Sequence, residues 1–314
     1  MGCSVTDAIR TEGLTRRYGR TFAVNDLTFG IEPGTTVGLL GPNGSGKSTL
    51  LKMITGLLRP TSGNVFVFGT DVHADQVTAL ADVGAVIETP AFGKQYTPRQ
   101  ILTYVADLYG MSRKSASASV NRVLTEVNMI NWIDAKIGGF SKGMMQRIGL
   151  AQALISDPGL IILDEPTSGL DPGGAEDFIN LLSKITEEKK TTLLISSHNL
   201  SEIEGLCERI VVLNKGKIIA DGTTEEIKHR SGRKIVIEIR KRISEQTAEA
   251  IMKIPGVESV IAEEHFLEIL FEGSEDDRFG IIPRLAELGV EVGSVYDRED
   301  SLKAAYSEIL KETK

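Results

Sequence analysis

The chain has 314 residues, 41% hydrophobic and 25% charged, with a formal net charge of −8. That length accommodates one large domain and a small one, and the composition is that of an ordinary folded protein. The acidic balance and the lack of a basic run argue against a general polyanion binder, and no run of about 18 apolar residues offers a membrane span.

Residues 10–67 alternate short strands with turns. Within them Thr36–Leu40 reads as a short buried strand that feeds Gly41-Pro42-Asn43-Gly44-Ser45-Gly46-Lys47-Ser48-Thr49. This stretch matches the phosphate-loop pattern of a glycine, any four residues and Gly-Lys-Ser/Thr. Glycines let backbone N–H groups turn inward around phosphate oxygens where a side chain would clash. Lys47 can reach β- and γ-phosphates, and the Ser48 hydroxyl can ligate Mg²⁺. A helix beginning near Lys47 points the positive end of its dipole at the anion.

Leu58–Gly63 is a turn and Asn64–Phe68 a strand. Val83–Ile87 is another buried strand. From Thr97 to about Asn131 the pattern is helical, with Thr97 as N-cap and Pro98 at the first helical position. Leu160–Leu163 and Thr191–Ile195 are continuous apolar runs, as expected of central parallel strands covered on both faces. Gly174–Lys190 reads as the crossover helix between them, so this part of the chain is α/β with a mainly parallel sheet.

The character changes near Arg230-Ser231-Gly232-Arg233. Strands follow at Lys234–Ile239, Val257–Ala262, Phe266–Phe271 and Glu291–Tyr296, with helices at Glu245–Lys253, Asp277–Leu288 and Ser301–Glu312. The order βαββαβ is that of a ferredoxin-like sandwich. Two domains are expected, residues 1–232 and 233–314.

The apolar strand Leu160–Leu163 ends in Asp164-Glu165. An Asp at a strand tip near a phosphate loop can hold Mg²⁺, and a Glu beside it can act as general base toward the attacking water. Shortly before lies Phe140-Ser141-Lys142-Gly143-Met144-Met145-Gln146-Arg147, where a Ser and a Gly at a helix start can bind a phosphate from outside. Together with Leu163-Asp164-Glu165-Pro166-Thr167-Ser168-Gly169-Leu170-Asp171-Pro172, this segment resembles the ATP-binding subunits of ABC transporters. The resemblance covers residues 8–230, with the motifs in the family's order.

The resemblance implies an α/β P-loop ATPase cassette: a mainly parallel sheet, an antiparallel β subdomain and a helical subdomain, here followed by the small C-terminal α+β ferredoxin-like domain. It implies that Tyr18 stacks on adenine, that Gly41–Thr49 holds the phosphates of ATP, and that Glu88 lies near the metal and the attacking water. It further implies that Ser141–Met145, through Ser141 and Gly143, contact the γ-phosphate bound by a partner subunit. Asp164 becomes the metal-associated acid, Glu165 the catalytic acid and His198 the γ-phosphate sensor. Ser168–Asp171 becomes the loop that crosses the dimer interface, with Asp171 at its end.

Two departures stand out. The family's usual Leu-Ser-Gly-Gly-Gln is Phe140-Ser141-Lys142-Gly143-Met144 here, which keeps Ser141 and Gly143. Glu88 stands where Gln is usual, as in the branch that exports bacitracin-type and lantibiotic peptides. The partners implied are ATP with Mg²⁺, a second copy of the chain arranged head to tail, and separate polytopic membrane subunits contacted around residues 89–135. No nucleic acid is expected.

Cys3 and Cys207 lie far apart, and no apolar leader precedes the first strand, so a cytosolic, reduced chain is expected; the resemblance further implies a peripheral place on the inner face of the cell membrane. Met1–Thr6 fits the loose N-myristoylation pattern, but an ordinary start is the reading taken. A soluble ABC ATPase of translation or DNA repair is the alternative. It is disfavoured by the single cassette and the short stretch between phosphate loop and signature. A nucleotide-dependent regulatory partner of a membrane protein is a third class.

Overall fold

The computed structural model describes residues 7–229, 233–271, 280–298 and 302–312. The N-terminal Met1–Thr6 pattern, Cys3, the segment 230–232 and the expected helix starts at Asp277 and Ser301 lie outside the described residues. The chain divides into two compact units, Met1–Thr224 and Glu225–Lys314.

In the first unit, β1 (Ile9–Tyr18), β2 (Thr21–Ile31), β4 (Ser62–Val67) and β5 (Thr70–Asp71) form an antiparallel sheet in the order β2-β1-β4-β5. A second sheet contains β3 (Thr36–Leu40), β6 (Val83–Val86), β7 (Leu160–Asp164), β8 (Thr192–Ser197), β9 (Arg209–Asn214) and β10 (Lys217–Thr223), in the order β10-β9-β3-β8-β7-β6. Its strands are parallel except for the β9–β10 hairpin. Every residue of β7 and β8 is buried, which is why their sequences are unbroken apolar runs rather than alternating ones.

Helix α1 (Lys47–Ile54) lies between the sheets. Its Leu50, Leu51, Met53 and Ile54 share one core with Ile9, Val24 and Val65 of the antiparallel sheet and with Leu39, Ile162, Leu194 and Val211 of the parallel one. Each such side chain contributes about 1.5–3 kcal/mol on full burial. This core anchors the helix that follows the phosphate loop.

The remaining helices of this unit are α2 (Gln76–Ala79), α3 (Pro98–Leu108), α4 (Arg113–Glu126), α5 (Lys142–Ala153), α6 (Pro172–Lys189) and α7 (Leu200–Glu204), and α8 (Thr224–His229) starts at its last residue and continues in the second unit's part of the chain. Thr97 caps α3 reciprocally with Gln100: the Thr97 hydroxyl accepts from Gln100 N, and the Gln100 side chain accepts from Thr97 N at 3.0 Å. The helical pattern from Thr97 to Asn131 contains two α-helices, α3 and α4. Gly110 takes φ +69°, which ends α3, and Ser112 caps α4.

Arg122 of α4 ties this helical region to the rest of the unit. Its guanidinium reaches Glu126 at 3.0 Å and Asp157 at 3.4 Å, and donates to the Leu154 and Ile155 carbonyls that end α5. Lys189 of α6 completes the cluster, at 2.6 Å from Asp157 and 3.1 Å from Glu126. The Lys189 hydrogen bond holds the Asp157 carboxyl below its ordinary value of 3.8. A depressed carboxylate contributes stability that is present above its unfolded-state value and lost as pH falls through the folded-state one. Arg122→Ala is therefore expected to lower unfolding free energy by about 1–2 kcal/mol near neutral pH, a partly exposed network of charge-assisted bonds. In urea titrations, the gap between mutant and parent should narrow below about pH 4.

In the second unit, β11 (Arg233–Ile239), α9 (Glu245–Ile251), β12 (Val257–Ala262), β13 (Phe266–Phe271), α10 (Ile281–Glu287), β14 (Val292–Arg298) and α11 (Leu302–Glu312) follow in chain order. The sheet is antiparallel in the order β12-β13-β11-β14, the arrangement of a ferredoxin-like βαββαβ sandwich. Ile237, Leu267 and Ile269 of the sheet pack with Ile251 of α9 and Ile281 and Leu285 of α10.

Candidate nucleotide site

The carboxyl ends of β3, β8 and β7 lie side by side. Leu40 pairs with Ser197, and Asp164 pairs with Ser196, so the loop after β3, His198 after β8 and the acids at the tip of β7 open on one edge. This edge of a parallel sheet is where ligand crevices form, because the loops diverge there.

The phosphate loop is fixed by its neighbours. Gly46 has φ +111°, and a Cβ there would drive into the Ala23 carbonyl of β2. Gly216 N donates to Ser45 O at 2.9 Å, and Asn25 N donates to Gly216 O at 2.8 Å, so the β9–β10 turn stitches the loop to β2. Helix α1 begins at Lys47 with no side-chain cap, leaving its first N–H groups available to an anion. The buried Ser45 hydroxyl has no hydrogen-bond partner among the described residues. Gly41 is buried and Thr49 half-buried, while Pro42, Asn43, Gly44 and Ser48 are exposed.

Lys47 is only 5% exposed. Its amine donates to the carbonyls of Gly41 at 2.7 Å and Pro42 at 3.4 Å, and lies 3.4 Å from Glu165 Oε1. The other Glu165 oxygen, Oε2, is 3.1 Å from His198 Nδ1. Glu165 has φ +45°, a left-handed backbone held by its N–H on both the carbonyl (3.2 Å) and the hydroxyl (3.0 Å) of Ser196. The same Ser196 hydroxyl donates to buried Asp164 at 2.5 Å. One serine thus sets both acids. Ser48 and Asp164 are hard oxygen donors beside a phosphate loop, a set that fits Mg²⁺.

Glu88 follows β6 with φ +72° and is exposed. Its carboxylate lies 2.5 Å from Lys52 Nζ of α1. That hydrogen bond holds the Glu88 carboxyl below its ordinary value and raises the Lys52 amine, so both remain charged through neutral pH. Glu88 therefore rests on Lys52 and not on the Asp164–Glu165 cluster. Tyr18 ends β1 with its side chain half exposed, and the Arg16 guanidinium lies 4.7 Å over its ring.

The signature residues form a second group. Ser141 caps α5 by accepting from Met144 N at 3.3 Å, and Gly143 stands in its first turn. Asp171 caps α6 by accepting from Gly174 N at 3.3 Å. Ser141, Gly143 and Asp171 line a cleft of about 260 Å³ to which no phosphate-loop residue contributes. The Lys142 amine fills the space over Gly169 that a side chain would take, joining the two loops.

One copy of the chain thus gathers Lys47, Asp164, Glu165 and His198, and keeps Ser141, Gly143 and Asp171 apart from them. Ser196 and Lys52 were not singled out from the sequence. The hydroxyl pair Ser196-Ser197 closing an apolar strand was a readable signal, whereas Lys52 looks like any lysine on the polar side of a helix.

Comparison with known proteins identifies the family. Residues 24–168 match the ABC transporter family model. A bacitracin transport ATP-binding protein from Bacillus licheniformis is 32% identical over 312 residues, spanning 96% of this chain and 97% of that one. A solved ATP-binding subunit of an ABC transporter is 29% identical with a TM-score of 0.63, covering 71% of this chain and 92% of its own. A dimeric bacterial ABC transporter cassette, MJ0796, is 25% identical with a TM-score of 0.62, covering 68% of this chain and 98% of its own. This chain belongs to the ABC transporter ATP-binding family, whose cassettes bind and hydrolyse ATP.

Proposed function

We propose that the chain powers an exporter as a head-to-tail dimer that closes around two ATP molecules and works on separate membrane subunits. Residues 1–232 would be the cassette and 233–314 an accessory domain. The carrying observation is the division of the site: Lys47, Glu165 and His198 meet at one sheet edge, while Ser141 and Gly143 line a cleft that lacks the phosphate loop. Two copies would bring the halves together. The dimeric MJ0796 cassette supports pairing of two copies, and a Nod factor export ATP-binding protein, 39% identical over 207 residues, supports export. Among the described residues no helix is long and apolar enough to cross a membrane.

In this reading Lys47 leaves the Gly41 and Pro42 carbonyls for the β- and γ-phosphates, and Tyr18 stacks on adenine. Glu165 accepts the proton of the attacking water, and His198 orients Glu165 and meets the γ-phosphate. Ser48 and Asp164 would hold Mg²⁺, which would supply charge neutralisation to the phosphates. Ser141 and Gly143 of the second copy close the γ-phosphate from the other side, and Asp171 belongs to the crossing loop.

Mixing tests the composite site. Lys47→Ala alone and Ser141→Arg alone should each be inactive, and an equimolar mixture should regain ATPase activity through the one intact site of the mixed dimer. A mixture as inactive as its parts contradicts a shared site.

Glu88 is proposed to serve coupling, moving from Lys52 toward the metal and water as the loop closes. Glu88→Gln should lower transport more than ATP binding. Because the carboxyl already lies below its ordinary value of 4.5, the size of that loss should not change between about pH 6 and 8. Transport assays across that range, with ATP titrations alongside, check both statements.

A further inference from the structure

Glu202 lies in α7, just after the loop that carries His198. Its carboxylate accepts three hydrogen bonds. Oε2 takes the Thr167 hydroxyl at 2.6 Å and the Ser197 hydroxyl at 2.8 Å, and Oε1 takes the Asn199 side-chain amide at 3.1 Å. The donors Thr167 and Ser197 are buried, at 5% and 2% exposure, while Glu202 is half-buried and Asn199 exposed, so the two hydroxyl bonds are the shielded ones.

The three donors come from two segments. Thr167 follows Glu165 after β7, while Ser197, the last residue of β8, and Asn199 flank His198. The strands bring the loops near each other, but strand pairing ends at Asp164 and Ser196. Beyond that point the Glu202 carboxylate joins them, and the 3.1 Å contact between Glu165 and His198 lies within the joined segment. Glu165 sits in the left-handed region, a conformation that costs about 1–3 kcal/mol and persists only where surroundings over-determine it. Ser196 holds its N–H, and the turn after it is held through Thr167, whose carbonyl accepts from Leu170 N at 3.0 Å. Glu202 also lines, with Thr167, Leu170 and His198, the cleft beside the crossing loop.

We infer that Glu202 is a positioning residue for ATP hydrolysis: its carboxylate clamps the loops of Glu165 and His198 in register and links that pair to the Ser168–Asp171 loop. This rests on the proposed roles of Glu165 and His198.

The test compares Glu202→Ala, Glu202→Gln and Glu165→Gln in the full chain. Glu202→Ala should lower kcat by about 10- to 100-fold, the range for lost outer-shell partners, with the KM for ATP within about twofold of the parent. Glu202→Gln should recover most of kcat, since its amide oxygen still accepts both hydroxyls. Unchanged kcat in Glu202→Ala would overturn the clamp. So would a rise in KM matching the fall in kcat together with no rescue by Gln, because that is the signature of general structural damage. Near-normal turnover in Glu165→Gln would instead remove the reading on which the clamp rests, whatever the Glu202 variants do.

Discussion

Glu165→Gln is expected to cut ATP turnover by about a thousandfold, the middle of the range that a positioned general base contributes. The amide matches the carboxylate in shape and keeps the backbone bonds to Ser196, so the loop stays in place while the proton acceptor is lost. Binding should not suffer. Removing a negative charge 3.4 Å from Lys47 frees that amine for phosphate, and it removes a repulsion against the γ-phosphate, so ATP affinity should rise. If hydrolysis dissolves the dimer, the variant should also accumulate an ATP-locked dimer. Phosphate release measures the first effect, and light scattering with and without MgATP measures the second. Near-normal release would mean that another group activates the water.

Lys47→Ala should act at the earlier step and remove hydrolysis by weakening binding. Each charge-assisted bond from a buried amine to phosphate contributes about 1.5–3 kcal/mol, so MgATP affinity should fall by about 10- to 100-fold. The amine also donates to the Gly41 and Pro42 carbonyls, so its loss leaves those carbonyls without that donor and the loop less fixed before ATP arrives. Calorimetric titration with MgATP should report weak or absent binding, and the variant should not dimerise on ATP. Binding within twofold of the parent, with hydrolysis alone lost, would place Lys47 in the chemical step only.

The two variants separate binding from chemistry because the structure separates the contacts. Lys47 faces the loop carbonyls and Glu165, and Glu165 faces Lys47 on one oxygen and His198 on the other. The parts of this site that the sequence displays are the local ones. Gly46 is legible because its φ of +111° and the nearby Ala23 carbonyl demand a glycine at one place in a short motif. Asp164 and Glu165 are legible because they break an apolar run, and Ser141 because a hydroxyl before a helix is a cap.

What the sequence conceals is which loops meet. The order β3-β8-β7 is a property of strand pairing, and it alone puts His198 beside Glu165. Ser196, Lys52 and, through Thr167, Glu202 act on partners about 30 residues or more away in the chain, through ordinary hydroxyl, amine and carboxyl groups that carry no local pattern. The helical region was legible as helix but not as two helices, because Gly110 inside an amphipathic run is a weak signal until its positive φ is seen. The second unit read more directly. Its βαββαβ order was plain from alternation and turns, and the sheet order β12-β13-β11-β14 is the one that order takes in a ferredoxin-like sandwich.

The measurement that bears most directly on the central claim is mild-detergent purification of the tagged full chain from its native membranes, with mass spectrometry of what accompanies it. The account predicts a polytopic membrane protein without an ATP-binding cassette, in fixed ratio to two copies of this chain and retained by the Glu165→Gln variant. Recovery only in soluble complexes, with ribosomal or DNA-repair proteins, would contradict it.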